Sequence, residues 1–176
     1  MHSDSGEVFA ENVHGLAGLR ASNSNGDVVA KNVSAAKLDA INENGDTLLS
    51  GVEADAILAT NFNGDISLGG ATAREAEVVN ESGDIMLVNM TLESALTCNS
   101  VNGDISAQRL DVVTSSVENA NGDIYLSYLG DESAYRIDAH SNLGDIDAPR
   151  GGDGSVDRAI DVDSDLGDIQ INFTSK

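Results

Sequence analysis

Eight aspartates each follow a glycine at nearly constant intervals along the chain. They are Asp27, Asp46, Asp65, Asp84, Asp104, Asp123, Asp145 and Asp168. If they stack at the spacing of neighbouring strands, about 4.8 Å, adjacent carboxylates repel by roughly 1 kcal/mol even in water. Backbone hydrogen bonds, solvent or a divalent cation can relieve this repulsion, and Ca²⁺ prefers such oxygen ligands. We predict a structural ladder relieved by backbone amides and solvent, with weak Ca²⁺ binding as the alternative and no other cofactor.

Groups suited to catalysis are few. Paired carboxylates can hydrolyse glycosidic bonds, but here they cannot be distinguished from the repeated turns. His2, His14 and His140 have no spacing typical of a zinc site or a Ser-His-Asp triad. The single cysteine, Cys98, is predicted to be a small buried hydrophobe. We therefore predict no catalytic residue, no defined metal site and no enzymatic activity.

Two features in the less regular part of the sequence suggest binding. One is a group of three tyrosines within one repeat unit: Tyr125, Tyr128 and Tyr135. Exposed tyrosines are common in surfaces that recognise sugars and proteins, so we predict a binding patch here for a glycan or protein ligand; otherwise the rings cover the edge of the stack. The other is the stretch at residues 151–157, which resembles one calcium-binding nonapeptide repeat. That motif works in tandem, so a single copy favours a loop.

The charge of the chain limits its partners. Thirty acidic residues against nine basic ones give a net charge of −21, which repels nucleic acids and anionic lipid surfaces. The sequence contains no apolar run of the roughly 20 residues that a membrane helix needs, and its first residues lack the features of a signal peptide. We expect either an exported protein whose signal has been removed or a cytosolic one.

The elements that position these residues follow from an internal repeat. Beginning with a degenerate Gly6-Glu7 copy, the turn glycines are separated by 20, 19, 19, 19, 20, 19, 22 and 23 residues. Two residues after each glycine stand Val8, Val28, Thr47, Ile66, Ile85, Ile105, Ile124, Ile146 and Ile169. Five residues before it stand Ala21, Ala40, Ala59, Val78, Cys98, Val117, Ala139 and Val162. These columns are apolar. Further inward columns lie four residues after and seven residues before the glycine. On either side of the turn the inward positions therefore recur at every second residue, as in a strand.

Two more columns describe the corners of the repeat. Seven residues after the glycine come Val13, Val33, Val52, Ala71, Met90, Leu110 and Leu129, which indicates a third inward position on another side. Three residues before it come Asn23, Asn42, Asn61, Asn80, Ser100, Asn119, Ser141 and Ser164. The parity of this polar column predicts side chains that point into the corner, where amides can stack as a hydrogen-bonded ladder.

The period predicts an all-β fold, a β-solenoid of about nine stacked coils of roughly 19–23 residues each, which spans residues 1–176 as one domain. Asn-Gly is also a favoured hairpin turn. Antiparallel hairpins, however, do not require the same apolar positions to recur at one period throughout the chain. The parallel solenoid is therefore preferred.

The unit Asn-x-x-Gly-Asp-Ile-x-Leu, present at residues 61–68 and 119–126, resembles that of the bacterial adhesin-like β-solenoid family of otherwise unknown function. It is also similar to the neighbouring head-GIN or auto-transporter-adhesin-like group. The resemblance covers essentially the whole chain. It implies a single-stranded right-handed parallel β-helix, usually on exported or surface-associated bacterial proteins, with no catalytic residues to transfer.

Three function classes remain. The leading hypothesis is a non-enzymatic adhesion or interaction module at the cell surface or in the periplasm. The first alternative is a self-assembling scaffold similar to bactofilins, with copies joined through the solenoid ends or through an outward apolar stripe that includes Val29, Leu48 and Met86. The second alternative is a β-helix carbohydrate-active enzyme, which the acidic surface disfavours for polyanionic substrates.

Overall fold

The structure is a computed structural model that describes residues 1–153 and 155–175. These residues form fifteen strands and a short 3-10 helix, Glu132–Ala134. The strands are β1 (His2–Ser3), β2 (Val8–Leu16), β3 (Leu19–Asn23), β4 (Val28–Asn44), β5 (Thr47–Asn63), β6 (Ile66–Gly69), β7 (Thr72–Ser82), β8 (Ile85–Val88), β9 (Thr91–Asn102), β10 (Ile105–Asn121), β11 (Ile124–Leu129), β12 (Tyr135–Leu143), β13 (Ile146–Asp147), β14 (Arg158–Leu166) and β15 (Ile169–Thr174).

All fifteen strands belong to one parallel sheet that winds around a shared interior. The paired strand residues face their equivalents in the adjacent coil, so that Val28 pairs with Thr47 and Thr47 with Ile66. The prediction of a parallel β-solenoid of about nine coils is confirmed. No helix in the described part of the chain has the length and apolar character to cross a membrane.

One coil, residues 26–44, illustrates how the sequence produces the winding. The Gly26-Asp27 corner precedes a first side whose inward residues are Val28 and Ala30. The second corner lies at Asn32, which has a φ of 52°. Across the coils this left-handed corner is occupied by Asn12, Asn32, Gly51, Gly70, Asn89 and Arg109. Asn and Gly tolerate this conformation better than other residues, which explains most of this column.

The glycine of the first corner is required by both backbone conformation and space. Gly64 has a φ of 124°, a region that side chains resist. A Cβ at this position would clash with the carbonyl oxygen of Gly45 in the preceding coil and would lie 3.0 Å from Oδ1 of Asp46. The same close approach recurs at the interior corners, so the glycines stack directly on one another.

The last two coils do not stack in chain order. Strand β14 pairs with β10 on one side and with β12 on the other, and β15 lies between β11 and β13. The coil at residues 158–174 is thus inserted between the coil at residues 105–129 and the coil at residues 135–147. The longer glycine spacings of 22 and 23 residues accompany this exchange.

Candidate functional site

The repeated aspartates form a continuous ladder along one edge of the solenoid. Oδ1 of seven of the eight aspartates accepts the backbone N–H of the aspartate in the adjacent coil, at 2.8–2.9 Å. In spatial order the ladder consists of Asp27, Asp46, Asp65, Asp84, Asp104, Asp123, Asp168 and Asp145. Each of the first seven carboxylates therefore has one oxygen held by the backbone, which offsets part of the repulsion between neighbours.

The ladder aspartates remain exposed, so their second oxygens face solvent or a ligand. Among residues 1–153 and 155–175, no three His, Cys, Asp or Glu side chains are grouped so as to hold a metal ion. Weak Ca²⁺ binding by the ladder stays a prediction.

A groove of about 350 Å³ runs beside the ladder across four coils. We call it the ladder groove. Its lining residues are Asp27, Val29, Asp46, Thr47, Leu48, Asp65, Ile66, Ser67, Asp84 and Met86. Val29, Leu48, Ser67 and Met86 are register partners in successive coils, and Met86 is 51% exposed. The groove thus combines a carboxylate row with a mainly apolar column, an arrangement suited to a ligand that is both cationic and partly apolar.

This groove explains the outward stripe that the sequence indicated. Val29 and Leu48 are partly buried and Met86 is exposed, as expected for outward positions on the first side of the coil. They lie three residues after the corner glycine, next to an inward column, so the repeat alone predicts that their side chains face outward. The sequence did not indicate that Ser67 and the aspartates belong to the same concave surface.

The buried asparagines bind the backbone and not one another. Nδ2 of Asn42 donates to the carbonyl oxygens of Gly26 at 3.0 Å and Asp46 at 3.2 Å. Asn61 makes the equivalent bond to Gly45 at 2.9 Å. The predicted amide ladder at this column is therefore wrong, because the glycine carbonyls of the preceding coil offer closer acceptors.

Amide-to-amide bonds occur instead in the exposed column one residue before the glycine. Asn63 donates to Oδ1 of Asn44 at 3.1 Å, and Asn121 donates to Oδ1 of Asn102 at 3.2 Å. These bonds connect adjacent coils at the solvent side of the same corner. The corner is consequently held by two sets of amides, one buried and one exposed.

The predicted tyrosine patch is wrong for two of its three members. Tyr128 and Tyr135 are buried, whereas Tyr125 is 37% exposed. The rings of Tyr128, Tyr135 and Phe173 pack together with centroids 5.4–5.7 Å apart. Tyr128 pairs with Leu110, so it takes the inward position that the count from the glycine gave to Leu129.

The hydroxyls of the buried tyrosines have partners inside the solenoid. Tyr128 Oη lies 2.6 Å from Oγ of Ser115, and Tyr135 Oη donates to the carbonyl oxygen of Val112 at 3.1 Å. Burial raises the pKa of both tyrosines. The Arg158 guanidinium lies 4.8 Å from the ring centroid of Tyr135 and donates to Oδ1 of Asp111 at 2.8 Å. These residues join the inserted coil to its neighbours and form no ligand patch.

The cysteine and the histidines lie outside the ladder groove, and two of the histidines have local partners. Cys98 is buried, and this burial raises the pKa of its thiol to about 12. His2 and His140 bond to Asp4 and Asn142, each at 3.1 Å. In the stretch at residues 151–157, Gly154 lies outside the described residues, and Oδ1 of Asp153 accepts hydrogen bonds from Ser155.

Comparison with known proteins gives one match. The family model described as Toastrack DUF4097 matches residues 1–172. No curated protein matches the chain. No solved structure matches it either. The match supports an uncharacterised β-solenoid family, while the adhesin and head-GIN resemblance stays an expectation.

Proposed function

We propose that this chain, which belongs to the Toastrack family of β-solenoid domains, is a non-enzymatic interaction module of the cell surface or periplasm. The observation that carries the proposal is the ladder groove, where four exposed carboxylates border the outward column of Val29, Leu48 and Met86. A concave surface with apolar and charged groups side by side is typical of recognition sites.

The rigidity of the solenoid supports this role. The four coils that line the groove pair along their strands, and their aspartates are fixed by backbone bonds of 2.8–2.9 Å. A partner would meet a surface that is already ordered, so little conformational entropy is lost on binding. Tyr125, exposed farther along the same outward column, can extend the contact surface beyond the groove.

A binding screen tests the proposal. The full chain is immobilised and exposed to arrays of glycans, host-matrix proteins and envelope proteins. The groove variant is Leu48→Ser/Met86→Ser, and the matched control is Phe62→Ser/Val101→Ser, which removes two exposed apolar residues outside the groove. A ligand that binds the wild type and the control but not the groove variant is expected. Failure to find any groove-dependent ligand would contradict the proposal, and a Tyr125→Ala arm tests the remaining tyrosine.

The proposed compartment needs its own measurement. In the cells that make the protein, we expect protease added to intact cells or spheroplasts to degrade it while a cytosolic marker survives. Protection of the chain together with that marker would place it in the cytosol and contradict the surface or periplasmic role.

A self-assembling scaffold is the second candidate, and the open end of the solenoid favours it. Within the described residues, β12 pairs only with β14 and β13 only with β15. Leu143 is 69% exposed and Ile146, an inward-column residue, is 44% exposed. Unpaired strand edges of this kind can add further strands, although the net charge of −21 opposes close approach of copies. Light scattering with and without Ca²⁺ decides: growing filaments support the scaffold, and a monomer at every salt concentration refutes it.

A further inference from the structure

We propose that the ligand of the ladder groove is a basic amphipathic helix of a partner protein, with one Lys or Arg in each turn. This inference rests on the proposed function, since it assigns a partner class to the same surface. It is argued from the charge, the spacing and the apolar content of the groove.

Charge selects a cationic partner. Asp27, Asp46, Asp65 and Asp84 each use Oδ1 to accept a backbone N–H, and all four side chains are exposed. Their second oxygens can accept from Lys or Arg without disturbing the coil-to-coil bonds. Because the chain as a whole carries −21, an approaching cationic segment is attracted from a distance and an anionic one is repelled.

Spacing favours a helix over an extended peptide. Carboxylates in successive coils are about 4.8 Å apart, so four of them span about 14 Å. Basic residues repeated once per turn of an α-helix are about 5.4 Å apart and span about 16 Å over the same three intervals. Alternate residues of an extended strand are about 6.7 Å apart and would span about 20 Å. A helix laid along the solenoid axis therefore keeps one basic residue near each aspartate, whereas a strand loses register.

The apolar column gives the helix a second contact. Val29, Leu48 and Met86 flank the carboxylate row. Ser67 lies between Leu48 and Met86 and has the shortest side chain of this column. A bulky apolar residue of the helix can enter at Ser67, and Met86 can adjust its shape to it. Apolar residues beside the basic ones, three or four positions apart, face this column.

The chain contains its own example of a basic side chain over this column. Nζ of Lys31 lies 5.9 Å from the ring centroid of Phe9, the outward residue that precedes Val29 in the same column. The aliphatic part of a lysine can cover apolar surface while its ammonium group remains solvated. Leu48 has no aromatic ring, but a partner lysine could cover it with the aliphatic part of its side chain and bring its ammonium group toward the aspartates.

The test uses a synthetic helical peptide of about 14 residues, or four turns, with one Lys in each turn and Leu on the adjacent stripe, so that its four Lys residues match the four aspartates of the groove. Control peptides have the same composition with the helical pattern scrambled, or a strand-like alternation of Lys and Leu. Binding to the full chain is followed by fluorescence anisotropy at physiological salt. Circular dichroism reports whether the peptide becomes more helical in the complex.

The protein variants change the same residue type on the same ladder. Asp46→Asn/Asp65→Asn removes two charges inside the groove and keeps an Oδ1 acceptor for the backbone. Asp104→Asn/Asp123→Asn removes two charges outside it. We expect the groove variant to weaken binding about ten-fold and the outside variant to change it less than about two-fold. Equal weakening by both variants would show attraction to net charge alone and overturn the inference.

The peptide controls give the other decisive outcomes. Equal affinity for the scrambled peptide, or tighter binding of the strand-like peptide, refutes the helical partner. If the screen in the preceding section finds a groove-dependent ligand of another class and the helical peptide does not bind, the partner class is wrong and the interaction function stands. If neither a groove-dependent ligand nor peptide binding is found, both proposals fail.

Discussion

Asp168 donates its backbone N–H to Oδ1 of Asp123 at 2.9 Å, although Asp145 lies between them in the chain. Asp145 in turn donates to Oδ1 of Asp168 at 2.8 Å. The ladder thus continues without interruption through a coil that is out of chain order. Any coil with a Gly-Asp corner can satisfy the same bonds, so the ladder does not itself decide which coil takes which place.

Burial of apolar surface accounts for the order that is observed. The inserted coil places Ile160, Val162, Ile169 and Ile171 in the interior, all of them buried. The coil that is left at the end has Ile137 and Ala139 partly buried and Ile146 exposed. Because each buried aliphatic side chain contributes roughly 1.5–3 kcal/mol, the more apolar coil is favoured in the position with two neighbours.

Cysteine crosslinking tests the exchanged order. Ser116 pairs with Asp161, and Asp161 pairs with Asp138, so residues 116 and 161 are one strand spacing apart and residues 116 and 138 two. In a Cys98→Val background, Ser116→Cys/Asp161→Cys should be joined by a thiol crosslinker with a reach of about 5 Å. Ser116→Cys/Asp138→Cys, about 10 Å apart, should not be joined, although each thiol can react with one end of the reagent. The reverse result, scored by mass spectrometry, would show that the coils stack in chain order.

The corner glycines should be among the least replaceable residues. Gly64→Ala introduces a Cβ that clashes with the Gly45 carbonyl in a backbone conformation of φ 124°. We expect a loss of about 3 kcal/mol in the free energy of unfolding, measured with urea.

Gly69→Ala is the matched control for this substitution. Gly69 lies in the same coil, has no left-handed conformation and would place its Cβ at least 4 Å from any neighbour. The free energy of unfolding should change by less than about 1 kcal/mol. Equal losses at both positions would show that stacking of the glycines is not what limits replacement.

The apolar columns are predictable from the sequence because one chemical requirement recurs in every coil. Val28, Thr47 and Ile66 share a column because each must face the interior two residues after the corner. The position of Tyr128 could not be counted in the same way. In the preceding coil the left-handed residue is Arg109, six positions after the glycine, whereas in the coil of Tyr128 it is Gly130, eight positions after, and the strand register shifts by one residue.

Neither the exchange of coils nor the groove can be predicted from the sequence repeat. Coil order depends on contacts between distant segments, and the equivalent columns of Ile146 and Ile169 fit either place. The period alone predicts that the aspartates form a ladder. Their bonds to the next coil, and the groove beside Leu48, depend on the rotation of each coil relative to the next, which the period does not specify.

The hydrogen bond between Tyr128 and Ser115 should be measurable by a double-mutant cycle. Their oxygens are 2.6 Å apart in the interior. Tyr128→Phe leaves the Ser115 hydroxyl buried without this partner, at a cost of about 1–3 kcal/mol. Tyr128→Phe/Ser115→Ala removes both groups and should cost less than the sum of the single variants. Additive losses would contradict a direct bond between the two hydroxyls.

The buried thiol of Cys98 should make the protein less stable at alkaline pH. Burial raises its pKa to about 12 from an ordinary value of 9.0. Between these values the unfolded chain loses the proton and the folded chain keeps it, so the free energy of unfolding falls as the pH rises above 9. At pH 10 the loss should be about 1 kcal/mol relative to pH 8.

Cys98→Val isolates this contribution from that of other titrating groups, including Tyr128. Valine suits the site because Val78 and Val117 are the register partners of Cys98 in the two adjacent coils. Urea unfolding of both proteins at pH 8 and pH 10 should show a smaller loss for Cys98→Val, by about 1 kcal/mol. If both proteins lose the same stability between these pH values, the thiol titrates in the folded chain as it does in the unfolded one, and its burial has no energetic consequence.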